Sequence, residues 1–146
     1  STPTKALSEI TIGELCSMSD YPNGLYFIFG GEQRELQYVG KCTSRSFIER
    51  IPAHFDQREH AWFNLLPKKL MRNGQCYASA LRESLSFEAV LFGILDREAA
   101  CKLERVFRYS YTPILNTLKK LDDFDSNATL DKLSRSNLSI EEAVLL

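Results

Sequence analysis

The chain has 146 residues, 44% of them hydrophobic and 25% charged, which is enough apolar side chain to bury one core without disulfide or metal staples. A formal net charge of −1 excludes a uniformly basic surface, so a nucleic-acid partner would need locally segregated charge. No apolar run approaches the roughly 18 residues of a membrane span, and Ser1-Thr2-Pro3-Thr4-Lys5 lacks the layout of a signal peptide, so a cytoplasmic protein without membrane contact is expected.

In chain order, residues 1–22 read as a polar arm with one short helix, started by the capping-box spacing Thr11-Ile12-Gly13-Glu14. Pro22-Asn23-Gly24 predicts a turn into a strand over Leu25 to Phe29. The polar, glycine-led link Gly30-Gly31-Glu32-Gln33-Arg34 predicts a hairpin to a second strand, which ends at Tyr38-Val39-Gly40 and brings Tyr26 close to Tyr38.

Ser46-Phe47-Ile48-Glu49 offers a second capping box, whose helix sets Arg50 and His54 one turn apart on one face. Pro52 predicts a kink or restart in it, because proline removes a helical hydrogen bond. Ala61 to Arg72 reads as another helix, kinked at Pro67, with Trp62, Leu65, Leu66 and Leu70 inward and Lys68, Lys69 and Arg72 outward. Residues 77–84 suit one or two more helical turns. Phe87 to Ile94 is the third strand, and Asp96 caps a helix from Arg97 to about Tyr109. An extended segment follows at Thr112-Pro113-Ile114-Leu115-Asn116, then an acidic linker and a tail over 121–146 with an apolar end suited to another subunit or a protein partner.

The charge is segregated. Residues 41–73 carry seven basic and three acidic side chains, and 102–120 carry five and one, whereas the remaining segments are acidic. The two basic segments hold the candidate chemistry, as a phosphate-facing surface requires. The four cysteines form no CxxC pair and only His54 and His60 are available, so zinc spacing is absent; free thiols are expected, with a reactive Cys42 as the alternative.

Cutting a phosphodiester requires an activated water, neutralised phosphoryl oxygens and help for the leaving alkoxide. A lone carboxylate such as Glu104 can hold Mg²⁺ or Mn²⁺ whose other positions take water and phosphate oxygen. Arg50 supplies a planar, permanently charged fork for phosphate. A tyrosine is a poor base at neutral pH unless nearby cations lower its pKa, a part Lys41 and the metal can play for Tyr26 or Tyr38. Each residue also has an ordinary reading: Tyr26 and Tyr38 as sheet-surface aromatics, Arg50 as a solvated charge, and Glu104 as one half of an i,i+4 pair with Arg108.

Together these motifs resemble the GIY-YIG nuclease family over roughly residues 23–117. Gly24-Leu25-Tyr26 stands where the family has Gly-Ile-Tyr, and Tyr38-Val39-Gly40 where it has Tyr-Ile-Gly, with Lys41 as the usual basic residue after it. Phe47, Arg50 and His54 match the family's active-site helix, and Glu104 with Pro113-Ile114-Leu115-Asn116 matches its helix glutamate and closing motif. The chain departs from the pattern in Pro52 and in a longer stretch before the third strand.

The resemblance implies an α/β (α+β) fold with a small three-stranded antiparallel sheet flanked by helices, divided into an arm at 1–22, the nuclease-like domain at 23–120 and the tail at 121–146. It implies a divalent-metal-dependent DNA endonuclease in which Tyr26 accepts the proton or orients the water, Tyr38 and His54 assist, Lys41 is the catalytic cation beside the tyrosines, Arg50 acts on the phosphate, and Glu104 holds Mg²⁺ or Mn²⁺. Arg45, Arg58, His60, Lys68, Lys69 and Asn116 are the candidate substrate-binding residues. The alternative is a catalytically inactive domain of the same type that binds nucleic acid or a protein.

Overall fold

The hairpin organises the chain. In the computed structural model, which describes residues 2–58, 66–71 and 74–116, β2 (Asn23–Gly30) and β3 (Glu35–Cys42) pair antiparallel, with Tyr26 opposite Gly40 and Ile28 opposite Tyr38. Gly31 makes the turn at φ +84°, a conformation that favours glycine. The register slips between Ile28 and Phe29, leaving Gln37 as the extra residue of a bulge. The slip puts Tyr38 in one core and Leu36, two residues away, against the other. The Gln37 amide steadies the bulge by donating to the Gly30 carbonyl at 3.1 Å.

β4 (Glu88–Ile94) pairs with the other side of β2, so the described sheet is antiparallel throughout. It has four strands rather than the expected three, because β1 (Lys5–Ala6) pairs with β4 in the order β1-β4-β2-β3. The arm therefore covers an edge, with the Thr2 amide donating to the Leu91 carbonyl and the Thr2 hydroxyl accepting from the Leu91 amide, both at 3.0 Å. Two paired residues are too short to show a strand's alternation, but they satisfy backbone groups along β4.

Helices cover both faces, which is why Leu25 to Phe29 is apolar without alternation. On one face Tyr26, Ile28, Tyr38 and Leu91 pack with α1 (Ile12–Ser17), α2 (Phe47–Ala53), α3 (Leu66–Met71) and α4 (Tyr77–Ser86). On the other, Leu25, Phe27, Val39 and Phe92 meet Ala100, Leu103 and Phe107 of α5 (Arg97–Tyr111). Thr11 and Asp96 cap α1 and α5, accepting from the Glu14 and Ala99 amides at 3.1 and 2.9 Å. α5 ends at Tyr111, two residues before Pro113, and Thr112, the residue preceding the proline, turns left-handed at φ 40°.

Pro52 lies inside α2, which does not restart after it; the helix stops one residue later at Ala53, and the His54 amide closes it by donating to the Ile51 carbonyl at 3.2 Å. Pro67 is buried within the described part of α3. The expected helical residues 61–65 and 72, with Trp62 among them, and the tail lie outside the described residues. No helix among the described residues is long and apolar enough to cross a membrane.

Candidate active site

β3 is the outer edge of the sheet, and its two halves are used differently. The segment after α5 docks along the first half: the Ile114 and Leu115 amides donate to the carbonyls of Leu36 and Gln37 at 3.4 and 2.8 Å. Asn116 ends this cover like a strand residue, with Oδ1 accepting from the Val39 amide at 2.8 Å and Nδ2 donating to the Val39 carbonyl at 2.9 Å. Beyond Val39, Gly40, Lys41 and Cys42 border a cavity of about 300 Å³ instead.

Three elements converge on that cavity. β3 contributes Tyr38, α2 on one face of the sheet contributes Arg50, and α5 on the other contributes Glu104 and Arg108; Arg45 completes the wall from the loop after β3. Among the described residues Glu104 is the only carboxylate lining it, against four cations, Lys41, Arg45, Arg50 and Arg108. A net positive pocket of this size suits a phosphoryl group. The Glu104 carboxylate is buried and accepts from Arg108 Nη1 at 3.1 Å, the i,i+4 pair that the spacing of α5 permits. Lys41 lines the cavity with its Nζ 3.6 Å from Cys101 Sγ.

Tyr26 stands one layer behind. Its ring fills the space over Gly40, where an added Cβ would come within 2.1 Å of it. That glycine serves close approach rather than strand termination, since β3 continues to Cys42. The Tyr26 hydroxyl is 2.7 Å from His54 Nε2, and ring centroids lie 5.8 Å apart for Tyr26 and Tyr38 and 5.2 Å for Tyr38 and His54. The Arg50 and His54 register read from the sequence thus puts one residue into the cavity and the other behind it.

Burial dominates the electrostatics of this stack. It holds the Tyr26 phenol well above the ordinary tyrosine range, with the neighbouring Tyr38 adding to the effect and Arg50 opposing it. Burial likewise raises Tyr38, opposed by Arg50 and reinforced by Glu104. His54 is driven down to about 3, by burial first and then by Arg50 and Lys69, so it is neutral. Cys42 is pushed up to about 12 by burial, which makes it an inert thiol rather than the reactive alternative. Both phenols stand above the ordinary tyrosine value, and Lys41 is not among the leading influences on either.

The other candidates are dispersed. Lys69 points inward rather than outward, standing 5.7 Å from the Tyr38 ring centroid and donating to the Leu115 carbonyl. Lys68 is exposed on α3 and does not border the cavity, and Arg58 pairs with Asp56, its Nε 2.9 Å from Oδ2. His60 lies outside the described residues. Arg108 is a cavity residue that sequence reasoning treated only as a helix partner, although its i,i+4 spacing from Glu104 was the available signal.

No group of three or more histidine, cysteine or acidic side chains that could cage a metal occurs among the described residues. The Glu104 carboxylate alone offers the cavity the oxygen donors that a hard cation such as Mg²⁺ prefers, so an ion held there would take its other ligands from water and phosphate oxygens. Comparisons with protein-family models, with curated proteins and with solved structures gave no match for this chain.

Proposed function

We propose that the chain is a divalent-metal-dependent endonuclease of the GIY-YIG type, hydrolysing phosphodiester bonds in DNA. The observation that carries this reading is the meeting of Tyr38, Arg50 and Glu104, from three separate elements, at one cation-rich cavity. Arg50 grips the scissile phosphate through its planar fork, and Lys41 and Arg45 extend the positive surface along the strand. Glu104 would hold Mg²⁺ or Mn²⁺, and the ion would supply charge stabilisation for the phosphoryl oxygens and the leaving alkoxide.

Tyr38 is the phenol that borders the cavity, so it takes the role of orienting the attacking water. Its raised pKa keeps it protonated at neutral pH, as a hydrogen-bonding orienter requires. Tyr26 and His54 hold Tyr38 in place from behind. Asn116 spends both ends of its amide on Val39 and fixes the edge from which Tyr38 projects.

Incubating the protein with supercoiled plasmid and Mg²⁺ or Mn²⁺, beside an EDTA control, tests the reading. Nicked or linear product with metal alone is expected. Intact plasmid with both metals between pH 6.5 and 9, together with a gel shift of the same DNA, would leave a binding domain without catalysis.

A further inference from the structure

The i,i+4 pair of α5 has an unusual setting. Its carboxylate and its guanidinium both border the cavity, and their side chains are only 7% and 17% exposed. A carboxylate this buried needs a compensating cation. A divalent ion at Glu104 would press a second positive charge against the guanidinium that already satisfies it.

Resting on the nuclease reading, we propose that Arg108 is an exchangeable counter-ion for Glu104: it holds the carboxylate in place until the metal arrives, then turns to the phosphate in the same cavity. Its long side chain allows the turn with its helix position unchanged. Three properties follow. Metal binding to the free protein is weak, because each ion must displace a guanidinium. A phosphate group in the cavity strengthens metal binding by offering Arg108 a new partner, and the metal strengthens phosphate binding equally, since coupling between two ligands is reciprocal. Arg108 thus positions Glu104 in the free protein and contacts the phosphate once the metal is in place.

Mn²⁺ binding followed by electron paramagnetic resonance separates this from a purely structural role. R108Q should bind Mn²⁺ about tenfold more tightly than wild type, the effect of removing one charged competitor. R108K should stay near wild type, and E104Q/R108Q should lose the gain. Unchanged or weaker binding by folded R108Q overturns the proposal; if wild type still nicks plasmid, the nuclease reading survives. Absence of both Mn²⁺ binding and nicking in wild type removes the two together. Should R108Q not fold, the Arg108 Nε–H resonance of wild type, identified by its loss in R108K, gives a second measurement: Mg²⁺ should shift it in wild type and not in E104Q, and a peak that ignores Mg²⁺ in both contradicts the exchange.

Discussion

The hydroxyl of Tyr26 lies 2.7 Å from Nε2 of His54, and both side chains are shut off from solvent. His54 Nδ1 has no hydrogen-bond partner among the described residues, so the phenol is the imidazole's one polar contact there. Y26F should therefore cost about 1–3 kcal/mol, the penalty for stranding a buried polar group. Urea unfolding measures it, and a Y26F protein as stable as wild type would show that the contact carries no weight.

The same histidine should make folding acid-sensitive. Its pKa is about 3 when folded, against an ordinary 6.5, so the unfolded chain binds the extra proton. Its contribution is therefore intact above 6.5 and is lost as pH falls from there toward 3. Between pH 6.5 and 5 the loss should be about 2 kcal/mol, at roughly 1.4 kcal/mol per unit. Comparing unfolding free energies of wild type and H54Q across this range isolates the histidine from the carboxylates, with H54Q the flatter curve.

Gly40→Ala should be among the most damaging small changes in the chain, because the added methyl group would overlap the immobile Tyr26 ring. Overpacking of this kind costs about 1–3 kcal/mol. Thermal denaturation should show the loss, and in a Y26A background the same G40A change should cost much less, because the space over residue 40 is then open.

Asn116→Ala removes both hydrogen bonds to Val39 and should cost about 1–3 kcal/mol. It should also lower kcat for cleavage while leaving DNA affinity within about twofold, since the amide positions β3 without entering the cavity. Equal loss of affinity and rate would instead place Asn116 on the substrate.

Much of this arrangement was legible because local signals agree with the fold. The apolar run Leu25 to Phe29, the glycine-led link after it and the caps at Thr11 and Asp96 each act within a few residues, and all four formed as read. What depended on distant packing was not legible. β1 exists because β4 has an edge to cover, and Lys69 faces inward because α3 rests near Tyr38 and the Leu115 carbonyl. The sequence pairs Tyr26 with Tyr38, but only the stacking over Gly40 shows which phenol borders the cavity. The upward shift of both phenols was not legible for the same reason: spacing places Lys41 next to the tyrosines, while burial, invisible in spacing, is the largest influence on them.

In the proposed function, a single carboxylate on α5, Glu104, completes a cutting site at the edge of β3. Single-turnover cleavage of a fluorescent DNA duplex in Mg²⁺ by wild type and E104Q, with binding followed in the same reactions, tests it most directly. Wild type should cut, and E104Q should bind the duplex at least as tightly while cutting at least a hundredfold more slowly, roughly the effect of deleting one stabilising group. Cleavage by E104Q at a rate near wild type would contradict the account.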